Sequence, residues 1–112
     1  MFPEKGVSTH PGEILSEDFL KPTNTSQAAF ARHIGVEPAV ISEIVHGKRG
    51  VSPEMAMKFS AAFGTSAEFW CNLQTMYDFT SMRERLRKTK KLPVIQILDV
   101  FAKQESAAVE WN

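Results

Sequence analysis

Cysteine occurs once in the 112 residues, at Cys71, so the chain can close no internal disulfide. That fits a reducing cytoplasm. Long apolar runs are also missing: none approaches the ~20 residues needed to span a bilayer, and the opening MFPEKGVSTH lacks the pattern of a signal peptide. The chain carries no net charge, with 13 bases against 13 acids, whereas a nucleic-acid binder is usually basic. His10, His33 and His46 stand at no metal-ligand spacing from one another or from Cys71. Acids are scattered singly apart from Glu17-Asp18, and there is no Gly-rich phosphate loop. These absences argue against an enzyme, a metal site, a bound cofactor and a membrane protein.

What is present is an ordinary soluble composition, 43% hydrophobic and 23% charged, at a length that suits one domain with one core. Charge is segregated along the chain, so the local field matters more than the total. Residues 1–20 set Lys5 against Glu4, Glu13, Glu17 and Asp18. Residues 83–91, RERLRKTKK, set six bases against Glu84 alone. That run is open to three readings: a solvated helix end favoured by the dipole, a second phosphate contact, or a surface for an acidic patch on a partner.

The most informative stretch is Thr25 to Gly50, TSQAAFARHIGVEPAVISEIVHGKRG. Ser26 suits an N-cap, and Ala28, Phe30, Ala31 and Ile34 recur behind it at helical spacing. Gly35 stands where a helix ends in a left-handed residue, and Val36 then points back inward. Pro38 suits the first position of a second helix, Ile41, Ile44 and Val45 form its buried stripe, and Gly47 stops it. Lys48 and Arg49 follow at once. Two helices, a glycine turn and a basic exit are the parts of a helix-turn-helix, whose second helix enters the DNA major groove. Ala31 supplies the small side chain that such a close crossing needs.

Around this pair the pattern predicts three further helices. His10-Pro11-Gly12-Glu13 opens one, with Ile14, Leu15, Phe19 and Leu20 as its apolar face and Pro22 as its end. Ser52-Pro53 opens another that Gly64 terminates, and Ser66 caps a long one with Phe69, Trp70, Leu73, Met76 and Tyr77 along its stripe. The expected fold is all-α: a five-helix repressor-like DNA-binding bundle over residues 10–91. Residues 1–9 read as a loosely attached lead-in, and 92–112 as a C-terminal extension of uncertain structure. Its run VIQILDVFAK fits a short helix or a strand.

From His10 to about Phe79 the chain resembles the HigA/VapI-type antitoxins, within the phage-repressor-like (XRE) helix-turn-helix regulators. The residues that carry the resemblance are HPGEIL, SQAAFARHIGV, ISEIVHGKRGVSPEMA and FGTSAEFWCNLQTMYD. It implies a cytoplasmic homodimer that represses its own operon by binding double-stranded operator DNA. It also implies neutralisation of a cognate small toxin, usually one that cleaves mRNA. Two alternatives stand beside it: a stand-alone repressor without a toxin, and a toxin-binding module with weakened DNA binding.

Residue by residue, the resemblance sets Gln27 against a phosphate at the start of the first motif helix. It sets Pro38, Ala39, Val40, Ser42 and Glu43 on the groove-facing side of the second, and His46, Lys48 and Arg49 beside the backbone at its exit. Arg32 is a further candidate for a phosphate. The usual Ser or Thr start of the second helix is here Glu-Pro-Ala-Val. Pro38, Ala39 and Val40 offer thymine methyls only apolar contact, while Glu43 can accept from cytosine N4 and repels phosphate. Direct base readout is therefore expected to be thin, with specificity leaning on DNA shape.

Overall fold

A computed structural model describes residues 2–90 and 94–102. It is all-α: α1 begins at Pro11–Ile14 and continues as a π-helical stretch Leu15–Leu20, followed by α2 (Gln27–Ile34), α3 (Pro38–Val45), α4 (Pro53–Phe63) and α5 (Ala67–Thr89). A final single turn, α6, spans Asp99–Ala102. No strand occurs among the described residues.

The predicted caps are where local chemistry put them. Ser26, Ser52 and Ser66 each accept from the backbone N–H three residues on, at 3.0–3.1 Å. Gly35 closes α2 at φ 75°, Val36 N–H donates to the Ala31 carbonyl at 2.9 Å and Gly35 N–H to that of Arg32 at 3.3 Å. That double bond is the Schellman ending, and it turns the chain sharply into α3.

Two features of the backbone's course depart from the sequence expectation. The first helix changes to i→i−5 bonding, with Lys21 N–H on the Ser16 carbonyl at 2.9 Å. Leu15 and Leu20, five residues apart, are thereby both buried. The second departure is the lead-in, which lies along α5 rather than hanging free. Phe2 stacks on Phe79 with ring centroids 4.2 Å apart, Ser8 N–H donates to Thr80 Oγ1 at 2.9 Å, and Gly6 N–H donates to Glu84 Oε1 at 3.2 Å.

The core joins Leu15, Leu20, Phe30, Ala31, Ile41, Ile44, Val51, Ala56, Phe59 and Trp70. Trp70 is its centre, with Phe19, Phe59 and Phe63 around the ring and its Nε1–H satisfied by Thr65 Oγ1 at 2.9 Å. Phe69, expected in the buried stripe, sits at the rim with its edge against Trp70 and is partly exposed. In the tail, residues 94–98 carry no regular secondary structure, and Val94, Ile95, Ile97, Leu98, Val100 and Phe101 are all exposed. The remaining expectations for 91–93 and 103–112 fall outside the described residues.

Candidate nucleic-acid interface

α3 is held by its own buried stripe and by two neighbouring helices. Ile41 and Ile44 are fully buried, and both α2 and α1 pack against it. At that last contact Gly12 is buried so tightly that a Cβ on it would lie 1.7 Å from the Ile44 carbonyl oxygen. His10 organises the approach: its Nδ1 accepts from Gly12 N–H at 2.9 Å as the N-cap of α1. Its ring stands edge-on to Tyr77 at 4.7 Å and lies beside Gly47, just past the end of α3.

Burial holds the His10 pKa below its ordinary value, opposed by the Asp78 carboxylate, which raises it. A cap that accepts at Nδ1 also requires the neutral ring. The unfolded chain therefore binds the proton more readily, so this contribution is complete above the ordinary histidine value of 6.5 and is lost as pH falls through the lower folded value. Thermal melts are expected to show the midpoint dropping as pH falls from about 6.5 to 5. In His10→Asn, which keeps a capping oxygen without titrating, that slope is expected to flatten. An unchanged slope would remove His10 from the account.

The outward side of α3 carries Pro38, Ala39, Ser42, Glu43 and His46 along two i, i+4 rows, with Pro38, Ala39 and His46 exposed and Ser42 and Glu43 half-buried. Val40, expected on the same side, is half-buried like Ser42 and Glu43 and also packs against the core. His46 Nδ1 lies 2.7 Å from the Ser42 carbonyl, so it is the donor there and Nε2 faces outward free to accept. Glu43 is drawn off the face, its Oε1 3.1 Å from Arg49 Nη2. Both partners are about half exposed, so the pair is weak and opens easily.

Gly47 at φ 73° turns the chain out of the helix, and Lys48 N–H closes that turn on the Glu43 carbonyl at 2.8 Å. The Lys48 side chain is exposed and makes no ion pair among the described residues. On α2, Arg32 is exposed and Gln27 half-buried at the first helical position. Ser26 takes the Ala29 N–H, which leaves the Gln27 N–H facing outward from the helix start. The structure thus gathers Pro38, Ala39, Ser42, Glu43, His46, Lys48 and Arg49 at α3 and its exit, and keeps Gln27 and Arg32 on the helix beside it. Sequence reasoning missed the Glu43–Arg49 pair and the Gly12 contact. For Gly12 the signal was at hand, a glycine inside a helical start in HPGEIL.

Among the described residues no group of His, Cys, Asp or Glu could hold a metal ion. No described helix is long and apolar enough to cross a membrane.

A helix-turn-helix family model matches residues 17–70. The chain is 45% identical over 69 residues to Virulence-associated protein I of Dichelobacter nodosus, covering 62% of this chain and just under two thirds, 64%, of that one. It is 34% identical over 80 residues to Antitoxin HigA-1 of Vibrio cholerae, covering 71% of this chain and 75% of that one. Among solved structures, the Pseudomonas aeruginosa antitoxin HigA with the higBA promoter superimposes with a TM-score of 0.73 at 37% identity, covering 80% of this chain and 98% of that one. This is a non-enzymatic, DNA-binding class. The helix pair Gln27–Ile34 and Pro38–Val45 with its glycine turn and basic exit, together with these matches, shows that the chain belongs to the phage-repressor-like helix-turn-helix regulators, in the branch of the HigA and VapI antitoxins.

Proposed function

We propose that this protein is an autorepressor and antitoxin that binds its own operator as a homodimer and neutralises a small toxin encoded beside it. The observation that carries the reading is the outward side of α3, uncovered and ending in the cations Lys48 and Arg49. Two such helices related by a dimer axis would enter successive major grooves roughly 34 Å apart. Lys48, Arg49 and Arg32 would neutralise phosphates, and the Gln27 N–H would donate to one, together setting the register. Pro38, Ala39 and Ser42 would meet base edges, mostly through apolar contact. The HigA structure that resembles this chain was solved with promoter DNA, which supports the same use of the motif here.

The toxin half of the reading rests on α1, where Glu13, Glu17 and Asp18 are exposed and give a basic partner an acidic face. Glu17 is already paired with Lys21 at 2.6 Å; Glu13 and Asp18 have no ion pair among the described residues. The protein would act in the cytoplasm, where both partners are made.

Titration of labelled upstream DNA tests the reading. Affinity is expected to exceed that for random duplex, and to fall by about 10³-fold between 50 and 200 mM salt if a dimer makes roughly six phosphate contacts. Equal affinity for random DNA would sink the operator claim. Failure of the neighbouring gene's product to co-purify would sink the toxin claim and leave a stand-alone repressor.

A further inference from the structure

The far half of α5 and the lead-in enclose a cleft of about 640 Å³, lined by residues 2–5 on one side and by Phe79, Arg83 and Arg87 on the other. That volume falls among small-molecule sites, ~300–1,000 Å³. Its charged lining is three cations, Lys5, Arg83 and Arg87, against the single carboxylate of Glu4. Neither the motif helices nor the acidic α1 face uses it.

Arg83 is the unusual member. It is only 7% exposed, its guanidinium lies 5.4 Å from the Phe79 ring centroid, and its Nη2 donates to the Pro3 carbonyl at 2.6 Å. Its Nε–H is buried without an acceptor. A charged donor left in that state is costly, and proteins seldom tolerate one without a reason. Holding the lead-in in place accounts for the Nη2 bond and for Arg87, whose Nη2 reaches the Glu4 carbonyl at 3.5 Å while its Nη1 pairs with Glu84 Oε1 at 3.2 Å. It does not account for Nε. On a guanidinium, Nε–H and one hydrogen of Nη2 lie along a single edge, the fork that takes both oxygens of a carboxylate or phosphate.

We propose that this cleft binds a small-molecule oxyanion, a carboxylate or a phosphate monoester carried on a planar apolar body. The Arg83 fork receives the oxygens after a slight shift of Pro3, Lys5 adds charge, Arg87 adds donors while still paired with Glu84, and the stacked Phe2–Phe79 pair walls the apolar part. A bound ligand then adds a further tie between the lead-in and α5, beside the bonds at Pro3, Glu4, Gly6 and Ser8.

The test is a titration of the full-length, ¹⁵N-labelled protein with benzoate, phenyl phosphate and inorganic phosphate, followed at the Arg83 Nε–H and the Gly6 amide. At least one probe is expected to saturate both signals with a Kd of about 1 mM or tighter. Arg87→Gln, which also loses the pair with Glu84, is expected to weaken that binding about tenfold with only a small shift of the melting curve. Arg83→Lys, which keeps the charge and removes the fork, is expected to abolish it; should that variant not fold, the Arg87→Gln comparison decides. Saturation by benzoate alone assigns a carboxylate ligand, and saturation by phenyl phosphate with or without inorganic phosphate assigns a phosphate. No saturating shift up to about 20 mM, or equal affinity in Arg87→Gln, overturns the proposal.

Discussion

Gly12→Ala is expected to cost about 3 kcal/mol or more, at the top of the range for overpacked sites. The methyl group would stand 1.7 Å from the Ile44 carbonyl oxygen and 2.5 Å from its carbon. Both are backbone atoms of α3, so no side-chain rotation relieves the clash. Either α1 withdraws, releasing the His10 cap and uncovering Leu15, or α3 is pushed from its seat on Ile41 and Ile44. Thermal melts read the first consequence as a loss of roughly 10–20 °C for a domain of this size. DNA titration reads the second, because a displaced α3 no longer presents its outward side. Gly64→Ala is the control. Gly64 has φ 73° with nothing within 4 Å of an added Cβ, so its cost is only that of a left-handed alanine, about 1 kcal/mol. Equal losses in the two variants would mean that dihedral freedom, not the close approach, is what matters at Gly12.

Much of the fold was legible because its signals are local. Ser26, Ser52 and Ser66 cap helices, Gly35 and Gly64 end them, and Pro38 starts one, each for reasons confined to a few residues. Val40 stands at a boundary that spacing also describes: four residues before Ile44, it is half-buried and packs partly against the core. The docking of the lead-in was illegible for the opposite reason. Its bonds join residues 72 to 83 positions apart, Ser8 to Thr80 and Glu4 to Arg87 among them, and no window along the chain contains both partners. The switch to π-helical bonding after Ile14 has the same origin, since it is packing of Leu15 and Leu20 that it serves. At the candidate interface, the residue set at α3 and its exit was readable from the motif, but the pairing of Glu43 with Arg49 was not, because it spans the turn at Gly47.

That pairing shapes what Lys48 and Arg49 are expected to do. Lys48→Ala with Arg49→Ala is expected to weaken operator binding by roughly 100-fold at low salt and to reduce the salt slope by about two per protomer, one for each phosphate contact. Both side chains are exposed, so the melting curve should move little, and a loss of affinity can be assigned to contact rather than folding. Glu43→Gln should act in the reverse sense. It frees Arg49 from its partner at 3.1 Å and removes a carboxylate from beside the phosphate backbone, so affinity is expected to rise severalfold, more for random than for operator DNA. The two results together discriminate between roles for the carboxylate. If Glu43 only tethers Arg49, Glu43→Gln in the Lys48→Ala, Arg49→Ala background changes nothing. If it repels phosphate directly, the gain persists there. If Glu43→Gln weakens operator binding while leaving random DNA untouched, the carboxylate is reading a cytosine, and specificity rests on a base contact rather than on DNA shape.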